Sequence, residues 1–107
     1  MCVVVDSDKA IEETLFQVIA SSGESKSKVF EALKAYHDGD VETKEKFLKE
    51  AEELAVEANK LLFKLVQREA RGEKIPLSIL LIHSLDILMS SITAKELVTK
   101  ITEKPAR

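Results

Sequence analysis

Ile79-Leu80-Leu81-Ile82-His83-Ser84-Leu85-Asp86-Ile87-Leu88-Met89 is the stretch whose reading decides the fold. From Ile75 to Ala94 the only ionisable side chains are His83 and Asp86, in a chain where 33% of residues are Asp, Glu, Lys or Arg. A run that apolar is expected to be buried, so its two titratable groups require partners or a purpose. The run is close to the roughly 20 residues that a membrane-spanning helix needs. Pro76, several serines, Thr93, His83 and the central Asp86 argue against a span, because a mid-bilayer Asp costs roughly 2.5–3.5 kcal/mol. The stretch reads as a helix buried in protein, with no direct membrane insertion.

Working outward, turn signals fall in two places and cut the 107 residues into three segments. In His37-Asp38-Gly39-Asp40, Gly39 suits a helix C′ position and Asp40 an N-cap. In Arg71-Gly72-Glu73-Lys74-Ile75-Pro76, Gly72 ends one helix and Pro76 is placed to open the next. Helices are therefore expected over about 7–37, 41–72 and 76–102, in one helical domain spanning 1–107. Short connections force neighbours to run antiparallel, which predicts an all-α, up-down-up three-helix bundle. The tail Glu103-Lys104-Pro105-Ala106-Arg107 is expected to fray.

The first segment places Ile11, Leu15, Val18, Ser22, Ser25, Val29, Ala32 and Tyr36 at alternating spacings of four and three, a heptad seam that is polar in the middle. Gly23 sits inside that helix at a cost of about 1 kcal/mol relative to alanine, which close approach by a helix or a ligand would justify. The second segment repeats the pattern with Phe47, Ala51, Leu54, Ala58, Leu61 and Leu65, and adds Leu48, Ala55 and Leu62 one position on. Glu42/Lys46 and Glu45/Lys49 read as solvated i,i+4 pairs worth about 0.2–0.5 kcal/mol each. The third carries two stripes, Leu81, Leu85, Leu88, Ile92 and Ile79, Ile82, Asp86, Met89. Two neighbouring helices cover one broad face only, so the surplus predicts a homo-oligomer with this helix on or near its axis.

Composition narrows the classes of function. A net charge of −3 and a pI near 5.4, with bases interleaved among acids, exclude the basic face that nucleic acid requires. The single cysteine, Cys2, permits no intrachain disulfide and points to a reducing, cytoplasmic setting; the opening residues lack the basic leader of a signal peptide. Glycine-rich phosphate loops and zinc-type Cys/His spacings are absent from the sequence.

That leaves His83 and Asp86. A neutral imidazole on a helix is a competent nucleophile near pH 7 and accepts a phosphoryl group to form phosphohistidine. Its plainer reading is a core histidine satisfied by a carbonyl or a serine. Asp86, three residues on, contacts that imidazole, pairs with a lysine of a neighbouring helix, or points into an oligomer axis. Identical carboxylates brought together by symmetry need shared protons or a cation, and a Mg²⁺-like ion favours oxygen ligands. Ser25-Lys26-Ser27-Lys28 reads either as a phosphate contact or as a solvated face. His37 reads as a helix-end histidine favouring the dipole.

The pattern resembles the IIA components of the lactose/cellobiose (chitobiose) branch of the sugar phosphotransferase system. That family reads His-Ala-Gln-Asp-His-Leu-Met where this chain has His83-Ser84-Leu85-Asp86-Ile87-Leu88-Met89. Gly23-Glu24-Ser25-Lys26-Ser27 is similar to its Gly-Asp-Ala-Arg-Ser, Glu57-Ala58-Asn59 to its Glu-Ala-His, and Glu69-Ala70-Arg71-Gly72-Glu73 matches closely. The resemblance implies a homotrimer of three-helix subunits, nine helices in all. It implies that His83 takes phosphate from the phosphocarrier HPr and passes it to a IIB component for sugar uptake, and that Asp86 meets its symmetry mates around a metal ion, Mg²⁺. Leu85, Ile87, Asn59, Leu62 and Phe63 replace polar groups of the family, which predicts a repacked interior. The alternative from a different class is a non-catalytic or regulatory helical interaction protein on the same trimeric scaffold.

Overall fold

The computed structural model describes the backbone of residues 2–103 and the side chains of residues 8–103. It contains three helices, α1 Cys2–His37, α2 Val41–Ala70 and α3 Ile79–Thr102, and among the described residues no strand. The backbone of Cys2 to Asp6, upstream of the expected start near Ser7, continues α1. The Cys2 side chain and residues 104–107 of the expected frayed tail lie outside the described residues.

Both helix-ending glycines do what their sequence context asks. Gly39 and Gly72 adopt φ of 80° and 100°, the left-handed region where a Cβ is penalised. Each closes a Schellman turn: Asp40 N–H donates to Ala35 C=O and Gly39 N–H to Tyr36 C=O, and Glu73 N–H donates to Arg68 C=O and Gly72 N–H to Glu69 C=O. Asp40 then caps α2, its carboxylate accepting from Thr43 N–H at 3.0 Å and from the Thr43 hydroxyl at 2.6 Å. These two bonds, the hydroxyl first, hold the Asp40 carboxyl below its ordinary value of 3.8.

α3 begins three residues later than Pro76 suggests. Ser78, with extended backbone, accepts from Leu81 N–H at 3.0 Å and is the N-cap. A helix opened by Pro76 would be capped by Ile75, which has no side-chain acceptor, whereas Ser78 has one.

The α1 seam is buried as expected from Ile11 through Ala32, and at its end Ala35 replaces the exposed Tyr36. Two apolar clusters form around it. Ile11, Leu15 and Val18 pack with Ala58, Leu62, Leu65 and Leu88, flanked by Leu80 and Leu81. Val29 and Ala32 pack with Leu48, Ala51 and Val98, flanked by Ala94. Between them lies a layer of buried small residues, Ser22, Ser25, Ala55 and Ser91, outside both clusters. Ser25 Oγ donates across it to Ala51 C=O at 2.7 Å, joining α1 to α2. Ser91 Oγ turns back to Leu88 C=O. Ser22 Oγ is the one buried side-chain polar atom among the described residues left without a partner.

α1 packs extensively on both other helices, while α2 and α3 touch sparsely. One polar link between them is the Lys95–Glu52 ion pair. At the far end Lys44 is buried, its Nζ reaching Glu45 Oε1 at 2.6 Å and the C=O of Thr102 at 3.3 Å. A cation at that carbonyl complements the negative end of α3. Glu45 is thus taken by Lys44 rather than by Lys49. No helix among the described residues is long and apolar enough to cross a membrane.

Candidate functional site

α3 buries an unexpected side. Ser84, Leu88, Ser91, Val98 and Thr102 face the bundle, and Ser84 and Thr102 return their hydroxyls to Leu81 C=O and Val98 C=O. On the outer side Ile79, Ile82 and Met89 are 87%, 54% and 59% exposed. The opening expectation, that so apolar a run is buried, therefore fails within one chain. Ile79, Ile82, Asp86, Met89 and Thr93, spaced three and four apart, form an uncovered heptad seam.

His83 is exposed, on the flank between this seam and α1. The reading of it as a core histidine is thereby corrected: the side chain that turns inward on this turn is its neighbour, Ser84. Asp86 is also exposed and forms no ion pair among the described residues, so the reading of it as a partner for a lysine of a neighbouring helix is corrected for the lysines of α1 and α2. His83 and Asp86 share no hydrogen bond. Among the described residues no three His, Cys, Asp or Glu side chains come together, so one chain offers a metal a single carboxylate at Asp86. Such a donor set fits a divalent cation only when other copies add theirs.

The flank carrying His83 is tied to α1 by a hydrogen bond. Ser90, a heptad after His83 and so on the same face, accepts from Lys26 Nζ at 2.8 Å. The stretch Ser25 to Lys28, read in sequence as one patch, is split by the helix. Ser25 faces the core, Lys26 reaches α3, Ser27 is exposed, and Lys28 pairs with Glu50 at 3.1 Å and lies 5.4 Å over the Phe47 ring. A Cβ at Gly23 would meet nothing within 4 Å, so close approach by another helix of this chain is not what keeps the glycine. The Lys26–Ser90 link joins residues 64 positions apart, beyond any local sequence signal.

The replaced polar positions do not form a repacked interior. Only Leu62 is in the core; Phe63 is 55% and Leu85 41% exposed, Asn59 is exposed, and Ile87 is half-buried. Leu85 lines a shallow groove between α2 and α3 with Leu62, Leu65, Val66, Ile75 and Leu81.

These features define a three-helix bundle that presents one exposed histidine beside an uncovered apolar seam bearing an aspartate. Residues 13–104 match the family described as "PTS system, Lactose/Cellobiose specific IIA subunit", and the chain belongs to that family. It is 34% identical over 96 residues to the lichenan-specific phosphotransferase enzyme IIA component of Bacillus subtilis, covering 90% of this chain and 87% of the relative. To the lactose-specific EIIA component of Staphylococcus epidermidis it is 36% identical over 88 residues, covering 82% and 85%. The crystal structure of the cellobiose-specific enzyme IIA from Bacillus anthracis superposes with a TM-score of 0.82 at 40% identity, covering 84% of this chain and 83% of that one. The chain is thus a sugar phosphotransferase system IIA component of the lactose/cellobiose type.

Proposed function

We propose that this chain carries a phosphoryl group on His83, taking it from HPr and giving it to a IIB component for sugar uptake. The observation that carries the reading is the exposure of His83 on a rigid helix, where an incoming phosphocarrier can reach the imidazole in line. In the forward step an imidazole nitrogen donates its lone pair to phosphorus. The bond from phosphorus to the donor breaks, and its electron pair returns to the donor. Transfer to the IIB component runs the same step with this chain as donor.

The up-down-up subunits assemble as a homotrimer in this reading, with the α3 seam of Ile79, Ile82, Asp86, Met89 and Thr93 on the axis. Three Asp86 carboxylates then meet, and they would hold a Mg²⁺ ion; when bound, the ion supplies charge neutralisation that lets three acids share a dry axis. The setting is the cytoplasm, where HPr acts in this family. The test is incubation with HPr, its upstream kinase and phosphoenolpyruvate. The expected outcome is one acid-labile phosphoryl group per chain, absent in His83→Ala. An unmutated protein that stays unlabelled refutes the proposal.

A second reading, a non-catalytic or regulatory interaction protein on the same scaffold, draws on the exposure of Leu85 and Phe63 where the family is polar. It predicts that His83→Ala leaves partner binding unchanged and that no phosphate is taken up.

A further inference from the structure

His83 and Ser90 lie on one flank of α3, about 10 Å apart along the helix, and Lys26 sits on that flank through its bond to Ser90 Oγ. Unlike Lys28, Lys44 and Lys95, each paired with a glutamate, Lys26 has no carboxylate partner among the described residues. The one hydrogen bond its ammonium makes among the described residues is to a neutral hydroxyl, a weak acceptor for an ammonium compared with an anion.

The direction in which Lys26 can move is set by the helices. Ile11 and Leu15 share a cluster with Leu80 and Leu81, and Val29 and Ala32 share one with Ala94 and Val98. Toward the N-terminus of α1 is therefore toward His83. Helical side chains lean toward their own N-terminus, over the residues three and four positions back. For Lys26 the residue three back is Gly23, above which there is open space. Any side chain at position 23 would stand where the lysine stem has to lie.

We propose that Lys26 is the cation that binds the phosphoryl group of phosphorylated His83, leaving Ser90 and leaning across Gly23 to reach it. The proposal rests on the carrier reading of His83. As phosphorus passes from the donor to the imidazole nitrogen, its non-bridging oxygens keep their negative charge, and an ammonium N–H donated to one of them stabilises both the transfer state and the product. Lys26 moves no proton in this step.

The test compares the unmutated chain, Lys26→Ala and Lys26→Arg for the rate of phosphoryl uptake from phosphorylated HPr and for the lifetime of the purified phospho-form. Thermal melting of each serves as a check on folding. Lys26→Ala is expected to slow uptake about 10-fold or more, as for loss of a single charged donor to the transferring group, and to shorten the lifetime, with Lys26→Arg recovering most of both. Uptake by Lys26→Ala at the unmutated rate overturns the proposal and leaves the carrier reading standing. Equal slowing in Lys26→Ala and Lys26→Arg also overturns it, in favour of a structural Lys26–Ser90 link. Failure of the unmutated chain to accept phosphate refutes the carrier reading, and this proposal with it.

Discussion

α1 and α3 carry the same heptad arithmetic to opposite ends. α1, dense in charge, buries its entire seam from Ile11 to Ala32 inside its own chain. α3, with His83 and Asp86 as its only ionisable residues before Lys95, turns Ser84, Leu88 and Ser91 inward and leaves Ile79, Ile82 and Met89 in solvent. The reason is position in the bundle: α1 is flanked on both sides, whereas α3 leans on α1 and scarcely meets α2. Hydropathy identifies a face that must be covered, and the spacing identifies which residues share it. Which chain supplies the cover depends on how many neighbours the element has.

Four substitutions or conditions sharpen that contrast. Met89→Asp places a charge on the outer seam, where three copies would desolvate it together; sedimentation is expected to show complete conversion to monomer with helicity kept. An unchanged oligomer would move the association to another face. Leu88, one residue away and 1% exposed, serves the chain itself, so Leu88→Ala is expected to lower unfolding free energy by about 2–5 kcal/mol in denaturant titration. A loss under ~1 kcal/mol would mean that this core collapses around the cavity. Gly23→Ala adds a methyl into open space on a helix, and a gain of roughly 0.5–1 kcal/mol in stability is expected alongside slower phosphoryl uptake. Loss of stability would show that the space is filled in the assembly.

The smallest effect is at the Asp40 cap. Its carboxyl is held below the ordinary 3.8 by Thr43, so its contribution is present above that value and lost as pH falls through the lowered one. Stability measured from pH 7 downward is expected to fall less steeply at the acid end in Asp40→Asn than in the unmutated chain. Identical acid profiles would remove the cap from the account.

The helices, both glycine turns and the α1 seam were legible because each depends on local rules: a 3.6-residue period, a left-handed residue after a helix, and a cap. The polar middle of α1 was legible too, as the Ser22 and Ser25 layer. The start of α3 was misplaced because proline at a first turn competes with a serine cap two residues on, and the side chain that caps prevailed. Buried Lys44 was hidden, since its acceptor, the Thr102 carbonyl, is 58 residues away. At the site, His83 and Asp86 stood out because they interrupt an apolar run, yet the sequence suggested that they were inside. Lys26 was visible as part of a polar patch and of a family-like segment but not as a neighbour of α3, because a contact between α1 and α3 leaves no periodic trace.

The central claim is that His83, rather than the helix-end His37, is the phosphoryl acceptor. The direct measurement is peptide mass spectrometry, under non-acidic conditions, of the protein labelled through HPr and phosphoenolpyruvate. The added phosphoryl mass is expected on the peptide containing His83 and none on the peptide containing His37. Label on His37, or on neither histidine, would contradict it.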